Sequence, residues 1–255
     1  MIKSVTIFGT GNVGTHLAKV LKPRVEVNQI FSRNIEKARA LSIEVGGKPE
    51  TDLDNLELNS DLYLLAVTDN QIEALGNKLD QLLSGKIITH TSGATALISG
   101  SKNNFDGVFY PLQTFSKTKS IDWLNTPILI EADNQKTEQS LISLANRISD
   151  KCQVITSEQR LSLHLAAVFA CNFTNHLLNI SNDILQLKNL DIELLYPLIK
   201  ETIQKAEKTG PKLSQTGPAK RGDVETMEKH LALLKESKPN QEIYKILSKS
   251  IASKP

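Results

Sequence analysis

Over the first 150 residues, short apolar or β-branched runs alternate with amphipathic segments. Ser4–Phe8 (SVTIF), Val25–Phe31, Leu62–Val67 (LYLLAV), Lys86–His90 (KIITH) and Pro127–Glu131 (PILIE) read as strands. His16–Leu21, Ile35–Leu41 and Gln71–Leu83 have the spacing of helices with one buried face. Strands this apolar, alternating with helices, predict an α/β fold whose mostly parallel, doubly wound sheet is covered on both faces. Gly46-Gly47-Lys48-Pro49 and Ser101–Asp106 read as a turn and a loop between elements. After Cys152–Ile155 the pattern changes. Thr156-Ser157-Glu158-Gln159 is a capping-box signature opening a helix expected to run to about Leu187. Helical stretches follow near 192–207, 224–235 and 242–251. The chain is therefore expected to divide into an α/β domain over 1–155 and an all-helical domain over 156–255.

Composition adds little beyond exclusions. A 255-residue chain, 40% hydrophobic and 23% charged, can bury a core without disulfides or metals. Cys152 and Cys171 form no CxxC pair, so neither a disulfide framework nor a metal site is expected. The longest apolar run, Leu163–Cys171, is interrupted by His164 and falls short of the ~18 residues of a membrane span. The N-terminus lacks the pattern of a signal peptide, and a cytoplasmic location is expected. Net charge is +2, which gives no reason to expect nucleic acid or a membrane surface as partner. Residues 1–150 carry 15 Lys and Arg against 17 Asp and Glu, and residues 151–255 carry 15 against 11. The basic excess of the second part reads as a solvated helical surface.

The chemistry begins at residue 9. Gly9-Thr10-Gly11-Asn12-Val13-Gly14 is GxGxxG, directly after a strand and directly before a helix. The first glycine permits a tight turn, the second lets backbone approach a pyrophosphate, and the third allows close helix–strand contact. This placement points to a dinucleotide-binding Rossmann unit. NAD-binding sites usually carry an acid ~20 residues after the glycines. Phe31-Ser32-Arg33-Asn34 instead supplies a hydroxyl and a guanidinium, with Lys37 a turn later, and a guanidinium suits the 2′-phosphate of NADP. The alternative is that Arg33 and Lys37 are solvated charges and that Asn34 caps a helix.

Val67-Thr68-Asp69 and His90-Thr91-Ser92-Gly93 end apolar strands, where ligands of open α/β sheets bind. Val67 and Thr68 are thus cofactor candidates and Ser92 a substrate-side candidate, set against simple helix-cap and turn roles. His164 and Asn172 lie eight residues apart with Val168 between them, so an α-helix would align all three on one ridge. A hydrogen-bonded core histidine is the alternative to an acid/base. In Thr216-Gly217-Pro218-Ala219-Lys220-Arg221-Gly222-Asp223, Lys220 and Arg221 are candidate donors to an anionic substrate, and Asp223 is an expected helix cap.

Taken together, GTGNVG at 9–14, HTSGA at 90–94, YPLQTF at 110–115, HLAAVFACNF at 164–173 and TGPAKRGD at 216–223 resemble a bacterial family of NADP oxidoreductases. Its members join a Rossmann-like domain to a helical C-terminal domain of unknown function. They resemble 6-phosphogluconate and β-hydroxyacid dehydrogenases, ketopantoate reductase and pyrroline-5-carboxylate reductase in architecture. The resemblance implies a 6-phosphogluconate-dehydrogenase-like helical domain, NADP rather than NAD, and a homodimer joined through that domain. It implies hydride transfer between NADPH and a small carbonyl or imine substrate. His164 then serves as acid/base, Asn172 and Ser92 orient the substrate, and residues 9–14, Ser32 and Arg33 hold the cofactor. The family tends to have His where this chain has Tyr110, which lowers the expectation of a catalytic role there. A non-catalytic NADP-binding regulator and a nucleotide-dependent transferase remain as alternatives.

Overall fold

A computed structural model of the chain describes residues 1–98, 103–116 and 119–253. It contains β1 (Ser4–Phe8), α1 (Asn12–Leu21), β2 (Glu26–Phe31), α2 (Ile35–Val45), β3 (Lys48–Glu50), β4 (Leu62–Leu65), α3 (Asp69–Leu82), β5 (Ile87–His90), β6 (Phe105–Pro111), β7 (Ile128–Ala132), α4 (Gln135–Ala145) and β8 (Cys152–Val154). One sheet joins the strands in the order β3-β2-β1-β4-β5-β6-β7-β8. Every pairing is parallel except β6 with β7, which is antiparallel. Two faces are buried, as a parallel sheet requires. Leu62 and Leu64 of β4 join one apolar cluster with Leu17, Phe109 and Ile130, while Tyr63 and Leu65 join another with Phe8, Phe31 and Leu79. Period-two alternation explains why LYLL carries no polar residue.

Two strands differ from the sequence expectation. Lys48–Glu50, read as part of a turn, is a strand, because Gly46 and Gly47 make the turn with positive φ and release the chain beside β2. Of the expected loop at Ser101–Asp106, Ser101 and Lys102 lie outside the described residues, while Phe105 and Asp106 open β6. That strand was missed because Asp106 and Gly107 break its apolar run. Asp106 is buried nonetheless, and a Cβ at Gly107 would lie 2.7 Å from Leu141 of α4.

Helices follow: α5 (Ser157–Ala167), a π-helical turn over Val168–Phe173, α6 (Thr174–Gln186), α7 (Tyr196–Thr209), α8 (Pro211–Ser214), α9 (Pro218–Arg221), α10 (Val224–Leu233) and α11 (Lys238–Ala252). The Thr156 capping box is present, with Thr156 Oγ1 accepting from Gln159 N and Gln159 returning the bond. By internal contacts the chain forms two compact units, Met1–Val168 and Phe169–Pro255. This division falls at the π turn rather than at residue 155, so α5 belongs with the sheet. Arg160, only 1% exposed, accounts for that: it pairs with Glu131 of β7 and donates to the Thr95 carbonyl at 2.6 Å. In the second unit Ala219 alone is buried among the described residues.

Candidate functional site

The glycine-rich turn sits where β1 ends, at the point where the strand order reverses between β1 and β4. Gly9 has φ +112°, and a Cβ there would lie 2.2 Å from the Ala66 carbonyl oxygen. A Cβ at Gly14 would lie 2.1 Å from Gly9 O, so these two glycines serve backbone packing. Gly11 differs. Nothing lies within 4 Å of its would-be Cβ, so this backbone faces open space at the mouth of a cavity of about 680 Å³. A cradle bare at the second glycine fits a dinucleotide pyrophosphate.

Gly9, Thr10, Gly11, Ser32, Arg33, Val67 and Thr68 all line this cavity. Phe8 and Phe31 also line it, with rings stacked at 4.6 Å. Thr10 and Ser32 share a hydroxyl hydrogen bond of 2.9 Å that ties the glycine turn to the end of β2. Arg33 is exposed and makes no hydrogen bond or ion pair among the described residues. Asn34 does cap α2, its side chain accepting from Glu36 N and Lys37 N. Thr68 stands at the cap position of α3, its hydroxyl donating to Asn70 Oδ1 at 2.7 Å, and Asp69 is the first helical residue. Three residues named for the cofactor do not line the cavity. Gly14 packs on Gly9, Val13 packs against the core, and Asn12 donates its amide to Phe115 O at 2.9 Å. Leu53, Leu75 and Lys78 line the cavity without a motif to announce them, because tertiary folding brings them there.

A second group of polar residues lies at the same edge of the sheet. His90 is paired in register with Leu65 and Val108, and Leu65 with Phe8 across β1. Two residues beyond Val108 and still within β6 comes Tyr110, on the same face by the period-two rule, while Thr10, Val67 and Ser92 follow the ends of β1, β4 and β5. His90 is buried. Burial and then the nearby Arg160 charge push its pKa down to about 4, so the ring is neutral at pH 7. Its Nε2–H donates to Ala96 O at 3.1 Å and its Nδ1 accepts from Ser92 N at 3.2 Å. Ser92 Oγ in turn accepts from Ala94 N and Thr95 N, the turn role weighed above.

His164 of α5 shares a 3.2 Å hydrogen bond with the Tyr110 hydroxyl, their rings edge-to-face. Gly93 lies against both: a Cβ there would be 2.6 Å from His164 Nδ1 and 2.8 Å from Tyr110 Cζ. Burial raises the Tyr110 pKa above its usual value, with Arg160 acting in the opposite direction, so the phenol keeps its proton. The structure does not give Asn172 the expected ridge. The π turn over Val168–Phe173 changes the helical repeat, which rotates Asn172 off the line through His164 and Val168. Asn172 is exposed and belongs to the second unit, as do Lys220 and Arg221. Arg221 stands 3.9 Å from Asp223, which caps α10 by accepting from Thr226 N as expected.

Two family models match the chain. Residues 4–92 match the coenzyme F420-dependent NADP oxidoreductase family, and residues 126–251 match DUF2520, a domain of unknown function. No curated protein matches. Among solved structures, an NADP oxidoreductase of Bacteroides fragilis, so named provisionally, is 36% identical, with a TM-score of 0.90 over 99% of both chains. A Thermotoga maritima protein is 28% identical, with a TM-score of 0.70 over 97% of this chain and 96% of that one. A reductive aminase from Aspergillus terreus, solved with NADPH and ethyl levulinate, shares the fold at 14% identity, with a TM-score of 0.73 over 98% and 94%. With its cradle at Gly11 and full-length likeness to the Bacteroides protein, the chain belongs to the NADP oxidoreductases that join a Rossmann-like domain to a DUF2520 helical domain.

Proposed function

We propose that the chain reduces a small carbonyl or imine compound with NADPH, with His164 as the source and sink of the proton. One observation carries this reading: the dinucleotide cradle and the His164–Tyr110 pair meet the same edge of one sheet. NADPH, when bound, supplies the hydride. Gly9, Thr10, Gly11, Ser32, Val67 and Thr68 hold it, helped by the backbone of Asn12, Val13 and Gly14 at the start of α1, with Arg33 on the 2′-phosphate. Ser92, just past the end of β5, orients the substrate. In this reading residues 1–155 bind the cofactor and α5 brings His164 to the substrate side. The test is NADPH oxidation against a panel of ketones, keto acids and imines, for the wild type and His164→Ala. Tight NADPH binding with no turnover on any of them would favour a regulatory protein instead.

The working form is a homodimer joined through the helical unit. The helix over Ser157–Gln186 runs 30 residues, and by length and composition alone it could cross a membrane. The absence of a long uninterrupted apolar run concealed this. Its apolar side chains lack cover: Leu161, Leu165 and Phe169 are 51%, 56% and 63% exposed. His164, Asn172, Asn175, His176 and Asn179 interrupt its surface, which suits a protein partner better than lipid. A second copy covers it and supplies the core that the second unit lacks. Light scattering without detergent should report a dimer. The free thiols of Cys152 and Cys171 accord with a cytoplasmic, reducing compartment.

A further inference from the structure

We infer that Tyr110, rather than His164 itself, hands the proton to the substrate, and that His164 restores it from behind. The inference rests on the reduction proposed above. Tyr110 is placed for contact: it belongs to β6, two residues beyond Val108, whose register row runs through His90 and Leu65 to Phe8 of the cofactor cavity, and so it lies on that face. Neighbouring strands lie ~4.8 Å apart, so β6 stands about two strand spacings from β4, whose end leads to Val67 at the cavity wall. His164 comes from α5, and its Nδ1 already points at the Tyr110 oxygen. Gly93 keeps the pair together, since any side chain there would strike His164 Nδ1 and Tyr110 Cζ. A half-buried phenol that holds its proton and is bonded to an imidazole is a donor with a supply.

The acceptor carbon gains the hydride, and the π pair of its C=N or C=O bond moves onto the heteroatom. The Tyr110 O–H bond breaks as the heteroatom–H bond forms. His164 then passes its Nδ1 proton to the phenolate oxygen while its Nε2 takes one from solvent, and the ring, left as the other neutral tautomer, resets by exchange with water. The products are the amine or alcohol and oxidised cofactor.

The test compares wild type, Tyr110→Phe, Gly93→Ala and His164→Gln. Each is given NADPH with a five-membered cyclic imine, or with ethyl levulinate plus methylamine. NADPH affinity is read by fluorescence titration, kcat and KM by NADPH absorbance, and the His164 ring by NMR in cofactor-free protein. Tyr110→Phe should keep NADPH affinity and KM, lose kcat roughly 100- to 10,000-fold, and shift the His164 ring resonances. Gly93→Ala, which separates the rings, should lose kcat in the same direction. His164→Gln should lose less than Tyr110→Phe, because solvent can still re-protonate the phenolate. Tyr110→Phe that keeps kcat within about threefold of wild type while His164→Gln loses it would overturn the inference and leave His164 as the direct donor. Wild-type protein that binds NADPH yet reduces neither probe would instead overturn the reductase reading itself.

Discussion

Acid should destabilise the first unit through His90. In the fold this ring is neutral, with a pKa of about 4 against 6.5 for the free side chain, because burial and the Arg160 charge oppose its protonation. In the unfolded chain the same ring gains a proton as pH falls through about 6.5. The unfolded state therefore binds more protons between these values, and stability falls with pH. The full effect is present above about pH 6.5 and is lost progressively down to about pH 4. A difference of about 2.5 pH units, at ~1.4 kcal/mol each, comes to about 3 kcal/mol. The assay is denaturant unfolding over this pH range, followed by the fluorescence of Trp123, the only tryptophan and part of the first unit. His90→Asn keeps an acceptor near Ser92 N but cannot titrate. It should be less stable than wild type at neutral pH, where it loses the 3.1 Å bond to Ala96 O, and the gap should close or reverse near pH 4. Parallel stability curves for the two proteins would refute the reasoning, since the ring would then carry no buried neutral state.

Three further outcomes follow from the geometry. Arg33→Ala should weaken NADPH roughly 10- to 150-fold, since a hydrogen bond to a charged group contributes ~1.5–3 kcal/mol, and should leave NADH unchanged in a fluorescence titration. Gly11→Ala should fold with an unaltered melting temperature but fail to bind NADPH, because its Cβ meets only the space left for the pyrophosphate; unchanged affinity would remove the cradle from that position. Glu131→Ala strands the buried Arg160 charge and should lower stability by about 3 kcal/mol or more, seen as a lower denaturation midpoint.

Much of this protein was legible in its residues because much of it is local. The caps at Asn34, Thr156 and Asp223 bind backbone two or three positions away, so their short spacings suffice to find them. The apolar strands and the glycine turn obey periods of two and of a fixed motif, and the sheet follows from both. Other features required the fold. β6 was hidden because Asp106 and Gly107 look like loop residues until their neighbours are known. The Asn172 ridge failed because a π turn leaves no mark in hydrophobic spacing. Tyr110 was discounted, although it meets His164 fifty-four positions away, and no local pattern marks Arg160 as the partner of Glu131, twenty-nine positions back. Sequence records which groups a chain carries and which short-range patterns they make. The protonation of His90 and Tyr110 and the pairing of Glu131 with Arg160 depend on burial and on long-range partners, and only chain closure sets those.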